Sequence, residues 1–126
     1  MLMKKNNKKS TNVLIVEDSF FFSRWLYAEF FKIEGIEIVG YANNDKDASF
    51  MIQNLEIDIA IIDIKLKESN STNLIKNIKS KNENIVIIVF SNSVEFKEEC
   101  VKLGADYFFD KSHEFDKLLK LISYLN

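Results

Sequence analysis

Along the chain, short runs of β-branched and aliphatic residues alternate with longer segments whose apolar positions recur three or four apart. The first run, "NVLIV" (12–16), predicts a strand, and "SFFFSRWLYAEFFK" (19–32) predicts a helix because Phe22, Leu26 and Phe30 return at i+4. The alternation then repeats. "IEIVGYA" (36–42) reads as a strand, "DKDASFMIQNL" (45–55) as a helix, and "DIAIID" (58–63) as a strand. "NLIKNIKS" (73–80) follows as a helix with Leu74, Ile75 and Ile78 on one face. "NIVIIVF" (84–90) is the most strand-like stretch of all. After it come "VEFKEECVKLG" (94–104), a helix stopped by Gly104, the short strand "ADYFF" (105–109) and a closing helix, "EFDKLLKLISYL" (114–125).

Five strands alternating with five helices predict right-handed βαβ units, hence an α/β fold with a doubly wound parallel sheet covered on both faces. The unbroken apolarity of "IAII" and "IVIIVF" agrees, since strands buried on both faces lose the polar alternation of a half-exposed sheet. Proline is absent and glycine numbers three, so the turns fall to Asn, Asp and Ser.

Length and composition narrow the possibilities. At 126 residues the chain has room for one domain with a core of its own. With 47% hydrophobic and 29% charged residues it is not a disordered chain. No apolar run reaches membrane-span length, and the opening "MLMKKNNKKS" lacks the apolar segment of a secretory signal. The expected organisation is a flexible basic tail over 1–11 and a folded domain over 12–126, with no membrane insertion. Cys100 is the single cysteine, which excludes an internal disulfide and a cysteine metal cluster and fits a reducing, cytoplasmic setting. The formal net charge is −2, but Lys4, Lys5, Lys8 and Lys9 lie in the tail. Removing those four from 17 leaves 13 basic residues against 19 acidic, or −6 for the domain, which argues against a nucleic-acid partner.

In parallel sheets of this kind, ligands gather outside the carboxyl ends of the strands, where strand order reverses. The residues just past those ends are Glu17 and Asp18, Asp63, the Ser91-Asn92-Ser93 run, and Asp110, Lys111 and Ser112. Carboxylates brought so close repel one another unless a cation sits among them. With only oxygen donors at hand and no His or Cys nearby, Mg²⁺ fits better than zinc. Lys111 would neutralise the remaining charge and Ser91 would supply a hydroxyl. These are the parts required for phosphoryl transfer to a carboxylate.

"VLIVEDS", "IAIIDIKL", "IVIIVFSNS" and "GADYFFDKS", in this order and at these separations, resemble the receiver domain of two-component response regulators, from about Asn12 to the C-terminus. The resemblance implies a flavodoxin-like five-stranded sheet in the order 2-1-3-4-5. It implies Asp63 as phosphoacceptor, Asp18 as direct Mg²⁺ ligand with Glu17 acting through water, and the backbone carbonyl of Lys65 as the third protein ligand. It further implies Ser91 as the switch hydroxyl, Lys111 as the phosphate-binding lysine and Phe108 as the aromatic that follows the switch. The expected partners are a histidine kinase or histidine phosphotransfer protein and a downstream protein target. No residues remain after the fifth helix in this sequence for a DNA-binding or enzymatic output domain, so a stand-alone receiver without enzymatic output is expected. A receiver-like module that is never phosphorylated and a small aspartyl-phosphate phosphatase are the alternatives.

Four positions depart from the family pattern. Lys67 stands where Pro is usual and Ser71 where Gly is usual, so the loop after Asp63 should be differently shaped. Ser112 replaces the Pro that usually follows the lysine, which makes a cis peptide bond unexpected there. Lys65 puts an ammonium at the mouth of the site. The "FFF" run (20–22) also stands out, because successive helix residues lie about 100° apart and at least one ring should stay partly exposed beside the site, either as a partner-docking contact, the favoured reading, or merely as an apolar residue on the surface.

Overall fold

The computed structural model describes residues 10–66 and 69–126. The basic run that opens the chain and the Lys67 departure lie outside the described residues. In chain order the elements are β1 (Thr11–Val16), α1 (Phe20–Phe31), β2 (Ile36–Ala42), α2 (Asp45–Asn54) and β3 (Ile59–Ile62). They continue with β4 (Lys65–Leu66), β5 (Ser69–Asn70), α3 (Thr72–Lys81), β6 (Val86–Ser91), α4 (Lys97–Leu103), β7 (Tyr107–Asp110) and α5 (Phe115–Leu125). Five strands form one parallel sheet in the order β2-β1-β3-β6-β7, the doubly wound arrangement expected. Order reverses between β1 and β3.

Alternation along the central strands feeds two cores. Leu14 and Val16, Ala60 and Ile62, and Ile87 and Val89 point to one face, where they meet Leu74, Ile75 and Ile78 of α3, Cys100 of α4 and Ala48 of α2. Val13 and Ile15, Ile59 and Ile61, and Ile88 and Phe90 point to the other face, where Leu26 and Phe30 of α1 and Leu118 and Ile122 of α5 cover them. Both sets are apolar, and this is why the runs read as continuous rather than alternating.

The differences from the expected elements have local causes. β1 opens one residue early because the Thr11 N–H donates to the Gly35 carbonyl at 2.7 Å. β6 opens late, at Val86, because Asn84 N–H is drawn to Asn82 Oδ1 at 2.9 Å in a local side-chain turn. Val94–Phe96 form a 3₁₀ turn ahead of α4, with Phe96 N–H donating to the Ser93 carbonyl. β7 begins at Tyr107, two residues past the expected start, since Gly104 takes φ +121° and the Asp106 carboxylate accepts the Ile87 N–H at 2.8 Å. The closing helix opens at Phe115, one residue past the expected start. The short antiparallel ladder of β4 and β5 has no counterpart in the hydrophobic pattern.

Candidate functional site

β1, β3, β6 and β7 bring their carboxyl ends to one edge. Glu17 follows β1, Asp63 follows β3, Ser91 closes β6 and Lys111 follows β7. Backbone bonds lock these ends side by side: Asp63 N–H donates to the Val16 carbonyl at 2.9 Å and Lys111 N–H to the Ser91 carbonyl at 3.0 Å. The Lys111 ammonium then donates to Glu17 Oε1 at 2.7 Å and to Asp63 Oδ2 at 2.8 Å. The side chains of Lys111, Glu17 and Asp63 are only 13%, 4% and 11% exposed, so each charge depends on the others. The remaining carboxylate oxygens are engaged too. Glu17 Oε2 accepts the Ser19 N–H at 3.0 Å and Asp63 Oδ1 accepts the Lys65 N–H at 3.2 Å.

Burial pushes Glu17 above the ordinary carboxylate value, against the opposing pull of the Lys111 and Ser19 hydrogen bonds. Burial also disfavours the charge on Lys111, but its hydrogen bonds to Asp63 and Glu17 outweigh that and hold the ammonium above its ordinary value. Past β7, Ser112 donates from both Oγ and N–H to Asp110 Oδ1, which lowers Asp110, and the Asp110 N–H donates to Glu114 Oε1, which lowers Glu114. These bonds shape the turn that carries Lys111. None of the described peptide bonds is cis, as the Ser112 departure led us to expect.

Ser91 is fully buried, and its Oγ accepts the Ser93 N–H at 3.0 Å. Phe108 is buried in the core on the α2, α3 and α4 side. Asp18 is half-buried and does not cap α1; that role belongs to Ser19, whose Oγ accepts the Phe22 N–H at 3.2 Å. Asp18 instead lies in the wall of a cavity of about 630 Å³ shared with Glu17, Ser23, Tyr27, Tyr41 and Asp47. Lys65 is exposed, and among the described residues no ion pair joins it to Glu17 or Asp63; the ammonium on those carboxylates is that of Lys111.

Among the described residues, no group of three or more His, Cys, Asp or Glu side chains is assembled to hold a metal ion. The donor chemistry nonetheless suits a hard cation. The candidates are carboxylate oxygens and a backbone carbonyl, while the Cys100 thiol is buried in the core and the His113 ring sits against Ser112 and Asp110.

Two site features escaped the sequence reading. The ring of Phe22 faces the Lys111 ammonium at 4.1 Å from its centroid, and the "FFF" run was the available signal. Ser71, fully buried, donates from Oγ to Asp45 Oδ1 at 3.1 Å and from N–H to the Ile64 carbonyl at 2.7 Å, so the loop after Asp63 is tied to the start of α2. Nothing in the local sequence marks that tie.

The sequence model described as Response regulator receiver domain matches residues 13–123. Over 113 residues the chain is 30% identical to the chemotaxis protein CheY of Thermotoga maritima, covering 88% of this chain and 93% of that protein. It is 29% identical over 113 residues to a protein-glutamate methylesterase/protein-glutamine glutaminase of Clostridium acetobutylicum, covering 86% of this chain and 33% of that protein. The chain thus spans about a third of the length of that relative. CheY in the CheX–CheY–BeF₃–Mg²⁺ complex of Borrelia burgdorferi superposes with a TM-score of 0.83 at 26% identity, covering 96% of this chain and 92% of that one. No helix among the described residues is long and apolar enough to cross a membrane. Sequence match and fold coincide over nearly the same span, and the chain belongs to the response regulator receiver domain family.

Proposed function

We propose that the domain accepts a phosphoryl group on Asp63 from a histidine kinase or histidine phosphotransfer protein and signals by changing its contacts with a downstream protein. The carrying observation is the Lys111 ammonium bonded at once to Glu17 and Asp63, a cation fixed where phosphoryl oxygens would arrive. An Asp63 oxygen attacks phosphorus, a P–O bond forms, the P–N bond breaks and its electron pair stays on the donor imidazole. Lys111 binds one equatorial oxygen as its bond to Asp63 loosens. Ser91 donates its hydroxyl proton to another. Asp18, Asp63 and the Lys65 carbonyl would hold Mg²⁺, with Glu17 acting through water, and the ion would neutralise charge shared by acceptor and phosphoryl oxygens. The BeF₃ and Mg²⁺ named with the Borrelia CheY support this reading.

The new contacts at Ser91 and Lys111 shift the population between two conformations, with buried Phe108 as the aromatic that follows. Output passes through the face of α4, β7 and α5, where Val101, Tyr107 and Tyr124 are exposed. The Thermotoga CheY relative, covered over 93% of its length, supports a receiver that works as a unit of its own.

The test is to incubate the protein with Mg²⁺ and a small-molecule phosphodonor and to weigh the intact chain. A single phosphoryl adduct that Asp63→Asn abolishes is expected. Absence of any adduct points to an inert module, and turnover of many donors per chain points to a phosphatase; either result overturns the proposal.

A further inference from the structure

We propose that Phe22 is a positioning residue for Lys111, its ring forming the inner wall that keeps the ammonium aimed at Asp63. An ammonium has three N–H donors in a tetrahedral fan. Two of those on Lys111 are taken by Glu17 Oε1 and Asp63 Oδ2, and the ring centroid of Phe22 lies 4.1 Å from the same nitrogen. The face of an aromatic ring is negative, and a desolvated cation at this distance is attracted to it. Lys111 is thus held by two carboxylates and one ring.

The ring is itself braced. Phe22 stacks on Phe90 with centroids 5.9 Å apart and meets Trp25 at 5.4 Å, and Trp25 meets Phe115 of α5 at 4.5 Å. Phe90 precedes the switch hydroxyl Ser91, and Phe115 opens the helix that follows the lysine turn. The aromatic shelf therefore joins α1, the end of β6 and the start of α5 beneath the one side chain that must reach both carboxylate and phosphoryl oxygen. An aliphatic residue at position 22 would fill part of the volume but present no negative face.

The inference rests on the phosphoacceptor reading, and two measurements separate them. In the unphosphorylated protein the Lys111 ε-methylene protons, read by NMR, should sit upfield through the ring current of Phe22. They should return to the ordinary lysine position in Phe22→Leu and stay upfield in Phe22→Tyr. With the small-molecule donor and Mg²⁺, Phe22→Leu should form the adduct roughly three- to tenfold more slowly, and Phe22→Tyr should restore the parent rate. An ordinary Lys111 resonance in the parent, an upfield one persisting in Phe22→Leu, a parent-like rate in Phe22→Leu, or no restoration by Tyr each overturns the positioning role. If Phe22→Leu fails to fold, the parent and Phe22→Tyr spectra still decide it. If the parent forms no adduct, the phosphoacceptor reading fails, while the Lys111 resonance reports the wall independently.

Discussion

Lys111 is a cation enclosed by two buried carboxylates, so replacing it by Met strands both. The expected loss is roughly 3 kcal/mol at neutral pH, measured as the difference in urea unfolding between parent and Lys111→Met. Its pH dependence has a definite sign. Because the folded-state value of Lys111 is raised, its contribution is fully present below 10.5 and is lost as pH climbs through the folded value, so on the alkaline side the gap between parent and variant should close as pH rises past that value. Glu17 is also raised, but from 4.5; it favours the folded state in acid, and that advantage is lost as pH rises through its folded value. Cys100 behaves differently. Burial pushes its thiol to about 11, so at pH 8 the native protein should resist alkylation and the urea-unfolded chain should react readily, as counted by mass.

At the scale of elements, α4 ends on Gly104 at φ +121°, and a Cβ built there would come within 2.7 Å of Lys79 Cγ. Gly104→Ala should therefore destabilise by about 1–3 kcal/mol in chemical unfolding. That stop signal was legible in the sequence, as were the three central strands, because apolar runs of β-branched residues have few other destinations. The β4 and β5 ladder was not legible, since two-residue strands carry no periodicity. The site acids, hydroxyl and lysine could be found because each stands just past a strand, where parallel-sheet topology delivers side chains. The contact of Phe22 with Lys111 could not be, because it depends on how α1 is rotated over the sheet. The same holds for the tie between Ser71 and Asp45, which joins residues on separate elements.

On the whole molecule, aromatic residues crowd one side of the site. Phe20 and Phe21 are 66% and 83% exposed, with Arg24 stacked 5.6 Å from the Phe20 ring and Tyr27 and Phe31 further along α1. Phe20→Ala should slow phosphoryl transfer from a kinase or phosphotransfer protein while leaving transfer from a small-molecule donor unchanged; equal rates from the protein donor would remove α1 from the docking surface.

The bond between Lys111 and Glu17 spans 94 positions of sequence, and that from Lys111 to Asp63 spans 48. During synthesis the acids therefore leave the ribosome long before their counter-ion exists. A nascent or truncated chain lacking β7 would carry both carboxylates without the ammonium that joins them, so the charge cluster is complete only when the last strand has docked.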